Sequence, residues 1–244
     1  IRTALFAKIS RAKRIIGFEQ AREGAHLLYA DSICIQDWQK NHAIDRNREI
    51  PHFLGIETLP IECPLPKGNS PDGELELETP ALLLHPFSRG QGKSLSAEET
   101  AELCTSLAPL PIWLVGRCDP ETAEKDWPEN VTNFLNRTSL TELVWLIRRA
   151  AWSVSVDSGP MHLAAGISDR ILSIHTWSDP LMVGPYRENS WVWRAGQIRQ
   201  VSSISRGEFP EDRQARKRFE TQKRMLTAKQ ISQLAEFLHS QIHS

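Results

Sequence analysis

Four short apolar runs, at about residues 81–84, 112–115, 152–156 and 171–175, recur along the chain with helix-patterned segments between them. Runs this short and this rich in apolar residues read as buried strands. Their alternation with helices joins them as parallel neighbours through right-handed crossovers. The expected fold is therefore α/β, with a Rossmann-like parallel sheet in a domain of residues 71–244. Val131–Leu135 reads as a short edge strand, and Ser96 with Glu99 forms a capping box that opens a helix through Leu107. Ser139 caps a second helix whose apolar positions Leu140, Leu143, Val144 and Ile147 follow the helical period, with Trp145 read as core. The C-terminal segment is helix-prone, with an apolar face of Ile231, Leu234, Phe237 and Leu238. Pro60 through Gly73 lies in the one stretch, residues 60–80, rich in Pro, Gly and polar residues, and reads as an interdomain connection. Before it, residues 1–70 form part of a second domain, opening on an amphipathic helical pattern (Leu5, Phe6, Ile9).

Composition bounds the function classes. With 40% hydrophobic and 24% charged residues among 244, the chain has the make-up of a globular protein with a sizeable core. A net charge of −1 gives no global basic field, so no nucleic-acid partner is expected. Cys34, Cys63, Cys104 and Cys118 show neither CxxC pairing nor zinc spacing, so reduced, mostly buried thiols and no metal site are expected. No run approaches the roughly 18 apolar residues of a membrane span. Arg2, Lys8, Arg11, Lys13, Arg14 and Arg22 make the opening segment basic. Such a run is either a solvated helix face or a surface for an anionic acceptor or anionic lipid headgroups.

Chemistry concentrates in the run from Ser153 to Gly166. Val154 and Val156 belong to a buried strand, Asp157-Ser158-Gly159-Pro160 breaks it, and helix formers follow from Met161. Strand, tight turn and helix would place Ser158 or Gly159 near the cap and Pro160 in the first turn. That geometry aims backbone N–H groups and a positive helix end into the crevice outside the sheet, where anionic ligands bind, with Asp157 and His162 close by. The same residues also make ordinary turn chemistry, and a lone histidine in an apolar helix serves equally as a hydrogen-bonded core residue. A second candidate follows the first strand: His85-Pro86-Phe87-Ser88-Arg89-Gly90-Gln91-Gly92-Lys93-Ser94 offers glycines, a hydroxyl and two cations suited to phosphate. It is not a P-loop, because Phe87 stands where that motif needs glycine. Past the next strand, Asp119 and Glu121 could accept from a ribose diol or simply face solvent.

The run Asp157-Ser158-Gly159-Pro160-Met161-His162-Leu163-Ala164-Ala165 closely resembles the signature of the heptosyltransferase family, glycosyltransferase family nine. The Ala12–Phe18 and Asn41–Arg46 segments, Thr138–Leu143, and the loop Asp179-Pro180 to Gly184-Pro185-Tyr186 are similar to further landmarks of that family. In it, Asp45-Arg46 corresponds to a structural helix start, and Ser94-Leu95-Ser96 stand where Trp-Pro is usual. The resemblance implies a GT-B architecture, with residues 1–70 the later part of an acceptor-side domain and residues 71–244 the nucleotide-sugar domain. It implies Lys93 and Ser88 on the donor phosphates, Glu121 on the ribose, and Asp157, Ser158, Gly159 and His162 around sugar and phosphates. Arg89, Asp119, Met161, Asp179 and Tyr186 form a second tier. The catalytic base, by the same resemblance, is expected in an opening strand and loop that precede Ile1. The implied reaction moves a heptose or related sugar from a nucleotide-diphosphate donor, ADP-heptose, to a lipopolysaccharide core-type glycolipid or saccharide acceptor. It needs no cofactor and no metal, since Lys93 and helix N-termini neutralise the leaving diphosphate. A cytoplasmic enzyme is expected, with peripheral contact at the anionic inner face of the cytoplasmic membrane as a further option. A nucleotide-sugar-binding module without turnover, and another GT-B enzyme with a different donor or epimerase chemistry, stay open.

Overall fold

A computed structural model describes residues 1–57, 60–71, 80–90, 92–221 and 224–242. Residues 72–79, within the expected connection, lie outside them, as does Gln91 of the loop after the first large-sheet strand. The chain divides into two compact units, Ile1–Ile61 and Glu62–Ser244.

The first unit runs α1 (Arg2–Ile9), β1 (Ile16–Phe18), β2 (Asp31–Ile33) and α2 (Ala43–Phe53). β1 and β2 pair in parallel, with Ile16 opposite Asp31. Gly17 is required by packing, because a Cβ there would fall 2.2 Å from the Tyr29 ring. The His42 imidazole caps α2 by accepting from the Ile44 N–H, and Asp45 sits in the first turn, as a structural helix start requires. α1 corrects the sequence expectation. The helix ends at Ile9, and its one buried residue is Ala4. Leu5, Phe6 and Ile9 stay exposed because they lie roughly 100° to 200° around the helix from Ala4.

The second unit continues with β3 (Leu82–His85), α3 (Ala97–Ser106), β4 (Ile112–Gly116), α4 (Pro120–Ala123), β5 (Val131–Leu135), α5 (Leu140–Arg149) and β6 (Trp152–Val156). It closes with α6 (Gly159–Ile167), β7 (Ile171–His175), α7 (Pro180–Val183), β8 (Trp191–Arg194), β9 (Gln197–Gln200), α8 (Arg213–Thr221) and α9 (Ala228–Ile242). The strand order is β5-β4-β3-β6-β7-β8-β9, parallel throughout except for the β8–β9 hairpin. Residues alternate between two apolar layers. Leu82, Leu84, Ile112, Leu114, Val154 and Val156 pack on α3 and α9, whereas Leu83, Trp113 and Val115 pack on α5 and α6. Covering both faces explains why β3 and β4 are apolar at nearly every position, and why the polar residues of β6 and β7, Ser153, Ser155, Ser173 and His175, are buried as well. Both capping boxes form, Ser96 with Glu99 and Ser139 with Glu142.

The order reverses between β3 and β6: the chain builds outward from β3 through β4 to β5, then returns to the other side of β3 with β6. At such a switch point the loops leaving adjacent strands diverge and open a crevice at their carboxyl ends. No helix of the described residues is long and apolar enough to cross a membrane.

Candidate functional site

At the end of β6 the chain turns through Asp157 and Ser158 into α6. Ser158 occupies the N-cap in extended conformation, yet its side chain does not cap the helix. Its hydroxyl donates to the Val156 carbonyl (3.1 Å) and lies 3.3 Å from His85 Nδ1. Pro160 falls in the first turn, where a missing N–H is harmless. A Cβ placed on Gly159 would meet nothing within 4 Å. Protein packing therefore makes no demand for glycine at this position, and what glycine preserves is open space in front of the helix N-terminus.

The loop after β3 closes on itself. The Ser88 N–H donates to Ser94 Oγ (2.7 Å), Ser94 Oγ donates to the Ser88 carbonyl (3.0 Å), and the Gly90 N–H donates to Ser88 Oγ (3.1 Å). Gly92 adopts φ of +68°, a conformation glycine takes without strain, and its carbonyl accepts from the Thr176 hydroxyl. Between this loop and α6 lies a cleft of about 470 Å³. His85, Ser88 and Arg89 line one side, Ser158 and Gly159 another, and Gly116, Arg117 and Leu140 complete it. The Arg117 guanidinium donates to the Asn136 and Thr138 carbonyls and, among the described residues, pairs with no carboxylate.

Beside the cleft, Lys93 Nζ meets Asp157 Oδ2 at 2.7 Å. The Ser178 hydroxyl donates to the same oxygen at 2.6 Å. Behind Ser178, fully buried His175 holds Nδ1 2.9 Å from Ser178 Oγ and Nε2 3.1 Å from Ser173 Oγ. Burial pushes the Asp157 carboxyl up, but the electrostatic influence of His175 and the Lys93 and Ser178 hydrogen bonds outweigh it, so it stays below the usual carboxylate range. Burial lowers both His175 and His85 to about 4, so both imidazoles are neutral at pH 7. Lys93 Nζ and the Arg216 guanidinium each lie 5.0 Å from the Trp177 ring centroid.

Of the residues singled out in the sequence, Ser88, Arg89, Ser158 and Gly159 line one cleft, and Lys93 pairs with Asp157 next to it. His162 is exposed one turn into α6; desolvation lowers its pKa, with Asp157 opposing and Lys93 reinforcing the shift. The others stand apart. Met161 is fully buried against the sheet, so it serves as packing. Asp119 is the N-cap of α4, accepting from the Thr122 N–H and hydroxyl, and these bonds lower its pKa. Exposed Glu121 follows in that helix and does not line the cleft. Asp179 caps α7 by accepting from Leu181 N–H, with burial raising its pKa against that bond, and Tyr186 is half-buried beyond it. Sequence reasoning passed over Arg117, His175 and Ser178 as site residues, and took His85 only as the start of the loop after the first large-sheet strand. The available signal was a histidine at the carboxyl end of a mostly apolar strand, which His85 and His175 both are.

A doubly wound α/β unit with a cationic, polar cleft at its switch point is the class this fold and site define. Its architecture is that of GT-B heptosyltransferase structures. The E. coli ADP-heptose LPS heptosyltransferase II superposes with a TM-score of 0.67 at 20% identity, covering 99% of this chain and 73% of that one. The E. coli heptosyltransferase WaaC with ADP gives 0.58 at 22% identity, covering 93% and 65%. The model of glycosyltransferase family 9 (heptosyltransferase) matches residues 1–208, and the chain belongs to that family. The lipopolysaccharide core heptosyltransferase OpsX of Haemophilus influenzae is 24% identical over 190 residues, 72% of this chain. The chain spans about half the length of that relative, 54%.

Proposed function

We propose that the Glu62–Ser244 unit holds a nucleotide-diphosphate sugar, ADP-heptose, and that the chain serves transfer of the heptose to a saccharide acceptor of the lipopolysaccharide core type. The observation that carries this reading is the juxtaposition of three features at the switch point. These are an open helix N-terminus at Gly159, an adjoining cleft of about 470 Å³, and a lysine held on a carboxylate, Lys93 on Asp157. A diphosphate needs cations and N–H donors, which Lys93, Arg89 and the first turn of α6 supply. Sugar hydroxyls need an acceptor fixed in place, which is Asp157. As the sugar–phosphate bond breaks, negative charge grows on the leaving diphosphate, and preorganised cations stabilise that charge most. Membership of family 9 and relatives named for ADP and for lipopolysaccharide core support the choice of donor and acceptor class.

Isothermal titration of the chain with ADP and with ADP-heptose tests the reading, comparing the wild type with Lys93→Ala. Binding that weakens roughly 10- to 100-fold in the variant is expected, the scale of one charge-assisted phosphate contact. Folded protein that takes up neither ligand would contradict the ADP-sugar assignment. Donor binding with no transfer to any saccharide acceptor would instead mark a binding module.

A further inference from the structure

The buried pair His175 and Ser178 takes no part in the reading above, yet its hydrogen bonds run in one direction only. Asp157 is ionised, so its Oδ2 can only accept, and the Ser178 hydroxyl spends its single proton on that oxygen at 2.6 Å. His175 Nδ1, 2.9 Å from Ser178 Oγ, must then be the donor of the second bond. A neutral imidazole that donates from Nδ1 accepts at Nε2; Ser173 Oγ stands 3.1 Å from Nε2 and 3.4 Å from the Trp191 carbonyl, and turned to the nearer acceptor its one proton completes the relay. The order is Ser173, His175, Ser178, Asp157, each donating to the next, all of them buried.

We propose that His175 is a positioning residue. Through Ser178 it holds the Asp157 carboxylate from behind while Lys93 holds it from in front. Both donors converge on Oδ2, and Oδ1 is the oxygen that this relay leaves to a ligand hydroxyl. The chain of donors is anchored on β7, a strand buried in the middle of the sheet, so Asp157 keeps one orientation before any ligand arrives. A histidine here costs burial of two polar nitrogens, and both are satisfied, which is what a built relay requires. The inference rests on the donor-site reading for its ligand but not for its hydrogen bonds.

The test has two parts on the full chain. Nitrogen-15 NMR of histidine-labelled protein is expected to show His175 as the neutral tautomer protonated on Nδ1; the Nε2-protonated tautomer, or a charged ring at pH 7, would overturn the relay. Titration with ADP-heptose then compares variants. His175→Asn keeps an N–H near the Nδ1 position and is expected to bind within about 2-fold of wild type, whereas His175→Gln and His175→Phe lose about 10-fold. Ser178→Thr is expected to behave as wild type, Ser178→Ala as His175→Phe, and the double variant no worse than either. Equal binding by His175→Phe and wild type, or additive losses in the double variant, would overturn the positioning role. Wild-type protein that binds no ADP-heptose would refute the donor-site reading, and the tautomer then decides the relay by itself.

Discussion

At the scale of one residue, Gly159 is where the proposed donor site and the demands of folding can be told apart. No protein atom lies where its Cβ would go, and its backbone is not in the left-handed region. Gly159→Ala is expected to leave thermal stability unchanged or raise it by up to about 1 kcal/mol, because alanine loses less conformational entropy. The same methyl would intrude on a phosphate approaching the helix end, and ADP affinity is expected to drop at least 10-fold in a titration. A variant that binds ADP like the wild type would show that the ligand does not approach there. His85 and His175 make a second prediction at this scale. Both protonate near 6.5 in the unfolded chain but only at about 4 when folded, so the unfolded state binds more protons between those values. Stability should therefore fall as pH drops from 6.5 towards 4, by up to about 3 kcal/mol per imidazole. Urea unfolding at stepped pH checks this. His175→Asn should flatten the slope by about half its size, and an unchanged slope would mean that His175 does not carry it.

At the scale of elements, the carboxylate of Glu99 does more than complete a capping box. It is buried and accepts from the Ser96 N–H and from the Met225 and Leu226 N–H groups, so it joins the start of α3 to the approach to α9. Glu99→Ala strands three backbone donors and is expected to cost about 2–4 kcal/mol in urea unfolding, against about 1 kcal/mol for Ser96→Ala. Equal losses would mean that the link to α9 carries no weight. The box itself was legible in Ser96-Ala97-Glu98-Glu99, because capping is local chemistry; the link to Met225 was not, since it joins residues over a hundred positions apart. The strands were legible for a related reason. Covered on both faces, Leu82–Leu84 and Ile112–Val115 announce themselves by composition alone, whereas in Trp152–Val156 and Ile171–His175 buried serines interrupt the apolar run. The turn at Ser158-Gly159-Pro160 was equally readable. Met161, Asp119 and the apolar residues of α1 were not, because the side of a helix that faces the core, or the donor a loop carboxylate will cap, is settled by tertiary packing. Leu140 shows the same limit from the other direction: it keeps the helical period of α5 but stands exposed at the cleft.

At the scale of the molecule, the strand order β5-β4-β3-β6-β7-β8-β9 is what makes a site of residues far apart in sequence. The reversal between β3 and β6 brings the loop of Ser88 and Lys93 to the turn of Asp157 and Ser158, about seventy residues later. That this crevice holds the ligand is the proposal to be tested. Hydrogen–deuterium exchange of the whole chain with saturating ADP tests it most directly. Slower exchange confined to the backbone of residues 86–95 and 157–163 is the result expected of a diphosphate held between that loop and α6. Unchanged exchange in both stretches, or protection that falls elsewhere in the chain, would contradict the assignment of this cleft.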